Sequence, residues 1–270
     1  MRLAYLGTPE MAVPPLEALV AAGHEVAVVV TRPDTRRGRG GATSPSPVKS
    51  AADHLGLPVA HEVDEVVNVS RGRPIDVGVV VAFGQIIRPH VLAAVPMVNL
   101  HVSLLPRWRG AAPIERAIMA GDEVTGVCLM AVDEGLDTGG VYDRVDMPIG
   151  RASADELRTS LVAAGTQLLI DRLAHGLGEP EPQRGTATYA AKIRPDELRI
   201  DGSRPAFEID WLVRVVGAWT AFRGRRVKIT VGNVDHDRFA PTEVRPEGKP
   251  AMAFDAWMNG ARPAPGEWFE

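Results

Sequence analysis

The chain has 270 residues, 45% of them hydrophobic and 24% charged, with a formal net charge of -4 at pH 7. Those values suit a soluble globular protein and argue against wholesale coating of nucleic acid, though not against a local basic site. A single cysteine, Cys128, excludes an internal disulfide and fits a cytoplasmic protein; no run approaches the ~20 apolar residues of a membrane helix, and no signal peptide is visible.

Arg2 to Gly7 reads as a short buried strand. Thr8 or Glu10 can cap a helix from about Met11 to Ala22, with prolines in its first turn and Gly23 past its end. Glu25 to Val30 is a second buried strand, and strand, helix, strand in this short span predicts a parallel sheet. Gly7-Thr8-Pro9-Glu10 lacks the Gly-x-Gly-x-x-Gly spacing, which rejects a nicotinamide cofactor. Thr31 to Ser46 is a loop carrying Arg32, Arg36, Arg37 and Arg39, read either as a solvated loop or as an arm that neutralises phosphates. Ser46 then caps a helix with Pro47 at its first position, running to about Leu55. Leu57 to Val59 is a short strand, and the acidic stretch after His61 shows no clear period. Ile75 to Phe83 is the clearest buried strand and stops at Gly84-Gln85. Pro89 opens a helix to about Ala94, followed by a strand from Met97 to Leu100.

That apolar run ends in Asn99 and His101, two residues apart, which on a strand point to the same side. An amide donor beside an imidazole suits acyl-group chemistry, since the amide can hold an oxyanion and the imidazole can move a proton. Asp137, returning on a later loop, could orient and charge that imidazole. The alternative is structural: a strand-end Asn capping a turn, a core His, and an Asp making the turn before Thr138-Gly139-Gly140. Asp133 and Glu134 read as turn acids, and Cys128, within Val127-Cys128-Leu129-Met130, as a small buried hydrophobe. Trp108 between Arg107 and Arg109 fits nucleic-acid stacking and a packed loop equally. Pro113 opens a helix to about Ala120, strands follow at 125–132 and 141–149, and Ser153 with Glu156 forms a capping box for a helix to about Leu173. The pattern predicts an α/β fold: an open, mostly parallel, doubly wound sheet that binds ligands beyond its strand C-termini. Residues 176–184 lack periodicity and end the compact domain.

Asn99 to Ile114, together with Gly135-Leu136-Asp137-Thr138-Gly139, resembles the folate-dependent formyltransferases. The wording Ser103-Leu104-Leu105-Pro106-Arg107-Trp108-Arg109-Gly110-Ala111-Ala112-Pro113-Ile114 resembles the methionyl-tRNA formyltransferase family in particular. The resemblance runs from Met1 to about Ile200 and then becomes patchy. It implies an enzyme that moves the formyl group of 10-formyltetrahydrofolate, without a metal, to a primary amine. The expected acceptor is the α-amino group of initiator methionyl-tRNA, and the expected state a cytoplasmic monomer serving translation initiation. It implies Asn99, His101 and Asp137 as catalytic residues, with the formal base open between His101 and Asp137. The pterin is expected against Val81, Ala82, Phe83, Gly84 and Gln85, and the formyl-bearing end near Ser103, Leu104, Leu105 and Pro106. The arginine-rich loop ends in Pro45-Ser46-Pro47-Val48-Lys49, like the family's insertion into the tRNA acceptor end. Arg36, Arg37 and Arg39 are therefore expected to contact tRNA, Arg39 matching the insertion's key arginine.

The remainder departs from the family pattern. Phe207 to Val216 looks helical, and Arg225 to Val231 alternates like a strand with a basic face. The expected layout is a catalytic domain at 1–183, a linker at 184–205 and a shortened C-terminal subdomain at 206–270. The family's OB-like barrel would be reduced here, with strands missing between Val234 and Gly248 and Val216-Gly217-Ala218-Trp219 in place of an Asn-Pro-Trp-Pro signature. A closed barrel is not expected from what is left. Two other functions are therefore weighed. A folate-dependent formyltransferase acting on an amino sugar nucleotide or other small amine would not need the arginine-rich loop. A non-enzymatic folate- or tRNA-binding module would not need Asn99, His101 and Asp137 together.

Overall fold

Seven strands build the main sheet, in the order 141–148, 124–131, 97–101, 77–81, 2–7, 25–30 and 59–60. The structure, a computed structural model, describes residues 1–36, 43–267 and 269. In chain order its elements begin with β1 (Arg2–Gly7), α1 (Val13–Ala21), β2 (Glu25–Val30), β3 (Thr35–Arg36), β4 (Thr43–Ser44), α2 (Pro47–His54), β5 (Val59–Ala60), α3 (Glu65–Gly72) and β6 (Val77–Val81). They continue with α4 (Pro89–Ala94), β7 (Met97–His101), β8 (Arg109–Gly110), α5 (Pro113–Met119), β9 (Val124–Ala131), β10 (Val141–Pro148), α6 (Ala154–His175) and β11 (Tyr189–Ala190). Last come α7 (Ala206–Arg214), β12 (Trp219–Phe222), β13 (Arg225–Asp235), β14 (Arg238–Pro246), β15 (Met252–Ala253) and α8 (Phe254–Ala261).

Contacts divide the chain into two compact units. One comprises Met1–Ala111, Thr125–Met147 and Arg158–Tyr189; the other comprises Ala112–Val124, Pro148–Leu157 and Ala190–Glu270.

In the first unit β5, β2, β1, β6 and β7 run parallel, and β9 joins β7 antiparallel. This is the open, mostly parallel sheet that the alternation of apolar strands and helices predicts. From β1 the chain winds outward through β2 and β5, then returns to β6 on the other side of β1. That reversal makes the carboxyl ends of β1 and β6 a topological switch point, where open α/β sheets receive ligands. One sheet face buries Ala4, Leu6, Val28, Val30, Val80 and Met97 under Val66, Val91 and Val95. Two helix starts, that of α2 in this unit and that of α6 in the other, follow the expected chemistry. Ser46 Oγ accepts from Lys49 N at 3.0 Å, and Glu156 accepts from Ser153 N at 2.9 Å while its own N–H donates to Ser153 Oγ at 3.3 Å. Helix α3 has no such signature: Val66 is its one buried residue, so its period is faint.

In the second unit, β12-β13-β14-β15 form an antiparallel sheet that does not close on itself among the described residues, and Arg199 bridges the outer side of β12 at Trp219. Strand β14 occupies the interval from which strands were expected to be missing. It pairs with β13 through a two-residue turn at His236-Asp237, whose φ angles of 42° and 60° meet the demand of a tight hairpin for positive φ. Ile209, Leu212, Val213, Phe222, Val227, Ile229 and Val244 form the core, with Met119 of α5 packed against them. Val231 is 48% exposed because register shifts on either side of it turn β13. No helix among the described residues is long and apolar enough to cross a membrane.

Candidate active site

Strand alternation puts Met97, Asn99 and His101 on one face of β7, with Asn99 half-buried and His101 only 6% exposed. The Asn99 amide has no hydrogen-bond partner among the described residues. His101 Nε2 lies 2.9 Å from the Trp108 carbonyl oxygen. A carbonyl only accepts, so Nε2 carries the hydrogen, and in the neutral ring Nδ1 presents its lone pair. Nδ1 faces Asp137 Oδ2 at 3.7 Å, beyond hydrogen-bond length but close enough for an ion pair once the ring is protonated. The pair can therefore accept a proton at Nδ1 and stabilise the resulting imidazolium. The structure brings these two expected residues together.

The Asp137 loop is tightly specified. Asp137 itself has φ 51°, and its Oδ2 accepts from Gly110 N at 2.8 Å. A Cβ on Gly139 would stand 1.9 Å from the Ala131 carbonyl, so only glycine fits there. Asp133 Oδ1 accepts from Gly135 N and Thr138 Oγ1, the turn role expected of it. Two residues absent from the sequence expectations, Gln183 and Thr188, hydrogen-bond to this loop and to the Trp108 turn.

From the end of β6, buried Val81 and Phe83 alternate with exposed Ala82 and Gly84, whose φ angles are 46° and 72°. Left-handed backbone at Ala82 costs ~1–2 kcal/mol. It turns this segment out of the sheet's ladder at the switch point between β1 and β6. Thr8 Oγ1 donates to Phe83 O at 3.4 Å, Gln85 is exposed, and neighbouring Ile86 is 89% exposed. Ser103 Oγ donates to Arg107 O at 2.6 Å, and Leu105 packs with Cys128 and Met130, so these side chains serve the fold. Leu104 closes on Gly126, and Pro106 accepts from Thr188 N at 3.2 Å. Burial pushes the Cys128 thiol up to about 11, which leaves it protonated, a small hydrophobe as expected. Arg107 lies 4.5 Å over the Trp108 ring, and both backbone polar groups of Trp108 are engaged, which favours the packed-loop reading. Arg36 falls in β3 by its backbone, while Arg37 and Arg39 lie outside the described residues. Among the described residues no cluster of three or more His, Cys, Asp or Glu could hold a metal ion.

The formyl transferase family profile matches residues 1–173. The methionyl-tRNA formyltransferase of Roseobacter denitrificans is 45% identical over 260 residues, spanning 91% of this chain and 85% of that one. The chain belongs to the methionyl-tRNA formyltransferase family. As a member of it, the chain is a formyltransferase. Among solved structures, the methionyl-tRNA formyltransferase from Clostridium thermocellum aligns with a TM-score of 0.65 over 91% of this chain and 98% of that chain, at 16% identity. The N-formyltransferase from Helicobacter canadensis, in complex with folinic acid and dTDP-3-aminofucose, gives 0.64 over 93% and 98%, at 18% identity. At such identities the likeness of these two structures concerns the fold alone.

Proposed function

We propose that this member of the family transfers the formyl group of 10-formyltetrahydrofolate to the α-amino group of initiator methionyl-tRNA, as a monomer in the cytoplasm. Residues 1–183 act as the catalytic part, joined through 184–205 to the C-terminal subdomain 206–270. The observation that carries the mechanism is the arrangement of the unpartnered Asn99 amide and the His101 Nδ1 that faces Asp137 Oδ2 at 3.7 Å.

As the amine adds to the formyl carbon, Asn99 donates to the carbonyl oxygen that gains negative charge. Losing one such donor costs ~3–4 kcal/mol of barrier. His101 Nδ1 takes the proton released by the amine, and Asp137 stabilises the charged ring. When the bond from the formyl carbon to the folate nitrogen breaks, His101 returns that proton to the leaving nitrogen. Val81, Ala82, Phe83, Gly84 and Gln85 hold the pterin at the switch point between β1 and β6, and Ser103, Leu104, Leu105 and Pro106 border the formyl-bearing end. The support for this placement is the outward-turned backbone at Ala82 and Gly84, which leaves peptide groups for a heterocycle with both donors and acceptors.

Arg36, Arg37 and Arg39 neutralise phosphates of the tRNA. Replacing all three by alanine should weaken tRNA binding and flatten its salt dependence by about 0.7–0.9 per lost contact in a plot of log affinity against log salt. Equal slopes for variant and wild type would remove the loop from the tRNA site.

The deciding experiment incubates the full chain with 10-formyltetrahydrofolate and either methionyl-tRNA or dTDP-linked amino sugars. Formylation of the methionyl amine is the expected result. Formylation of an amino sugar with none of methionyl-tRNA would replace the proposed acceptor, and no transfer to any amine would leave only a binding module.

A further inference from the structure

The segment after α6 contributes no expected site residue, yet it holds both halves of the His101–Asp137 pair. Gln183 Nε2 donates to the carbonyl oxygens of Asp137 at 2.9 Å and Gly139 at 2.8 Å. Its Oε1 accepts from Arg109 Nη2 at 2.6 Å and Nε at 3.2 Å. Arginine only donates and carbonyls only accept, so the orientation of this amide is unambiguous and all four of its hydrogen-bonding positions are used. Thr188 does the same for the other half. Its Oγ1 accepts from Trp108 N at 2.9 Å, and the Trp108 carbonyl is the group that receives His101 Nε2–H. The Thr188 backbone adds a bond from Arg109 N at 2.9 Å and one to Pro106 O at 3.2 Å.

Asp137 and Trp108 both have left-handed backbone, with φ 51° and 62°. For a residue with a side chain that conformation costs ~1–3 kcal/mol and persists only where its surroundings impose it. Two side chains 46 and 80 residues away in sequence impose it here. We propose that Gln183 and Thr188 are positioning residues for formyl transfer. Gln183 aims the Asp137 carboxylate at Nδ1, and Thr188 holds the carbonyl that keeps the hydrogen of His101 on Nε2. The inference rests on the reading of Asn99, His101 and Asp137 as the catalytic group.

The test measures kcat and the KM of both substrates, 10-formyltetrahydrofolate and methionyl-tRNA, with thermal melting as the control for folding. Displacing a reacting group by about 1 Å costs roughly 10²-fold, so Gln183→Ala should lower kcat by between about 10- and 10²-fold. Both KM values should stay within about twofold of wild type. Gln183→Glu still accepts from Arg109 but cannot donate to the two carbonyls, so it should lose as much. Thr188→Val should fall in kcat, and Thr188→Ser, which keeps the hydroxyl, should be restored. In an Asp137→Ala background, Gln183→Ala should cause no further loss.

Four results overturn the inference: a Gln183→Ala enzyme with wild-type kcat while Asp137→Ala is impaired, losses that multiply in the double variant, Thr188→Ser as slow as Thr188→Val, or a Gln183→Ala chain that no longer melts cooperatively. Full turnover in Asp137→Ala is a different result, because it removes the catalytic group on which the inference rests.

Discussion

Loops in the first unit are held by side chains bonded to backbone: Gln183 to two carbonyls, Thr188 to a peptide N–H, and Asp137 to the N–H of Gly110. The second unit adds ring contacts and an ion pair near its C-terminal end. Phe222 meets Trp257 edge to face at 5.0 Å, Trp257 stacks with Phe269 at 5.3 Å, and Arg223 grips Glu267 through two contacts of 2.6 Å. Hydrogen bonds fix direction, whereas apolar burial is non-directional and proportional to area. A reacting group needs its direction fixed, and a small sheet that does not close into a barrel needs area. Changes at the first unit's loops should therefore appear in rate, and changes in the second unit's aromatic cluster should appear in stability.

The largest effect should come from His101→Ala, which removes the proton carrier and should lower kcat by about 10²–10⁴. Steady-state kinetics at saturating substrates measure it, and a loss confined to KM would break the contrast between the units. Next is Phe222→Ala, in the core of the second unit. Emptying such a site typically costs ~3–5 kcal/mol. Denaturant unfolding should show that loss, with kcat per folded molecule unchanged; a large fall in kcat without a fall in stability would reverse the assignment.

The smallest effect concerns acid. Hydrogen bonding from Arg116, at 2.7 Å and 3.2 Å, holds the Glu197 carboxyl down to about 2 from its ordinary 4.5. A carboxylate whose folded pKa is depressed stabilises the fold above its unfolded pKa and loses that contribution as pH falls through the folded value. Glu197→Gln should thus be less stable than wild type at neutral pH, and the gap should narrow between about pH 4.5 and pH 2. Parallel stability curves over that range would show that the ion pair contributes nothing.

Much of the chain before β11 was legible because its signals are local. The capping box at Ser153 and Glu156, Pro47 behind Ser46, and the period-two pair Asn99 and His101 all act within a few residues of themselves. Gln183 and Thr188 were not legible. They lie in a stretch without periodicity, and their partners are backbone groups that leave no mark on side-chain pattern. Helix α3 was missed because it buries so little, and β14 because a gap was expected where the residues present make a hairpin. The basic face of β13 was visible, but not that its Arg226 lies 3.9 Å over the Trp219 ring. Nor was it visible that Arg223 is tied to Glu267.

The free amide of Asn99 is expected to stabilise the oxyanion of the formyl group in the chemical step. A single-turnover measurement of formyl transfer from 10-formyltetrahydrofolate to methionyl-tRNA isolates that step from binding and release. Asn99→Ala should lower this rate by about 10²–10³ while the folate dissociation constant stays at its wild-type value. A wild-type single-turnover rate in Asn99→Ala, or a loss that vanishes once folate is saturating, would mean that the Asn99 amide plays no part in the chemical step.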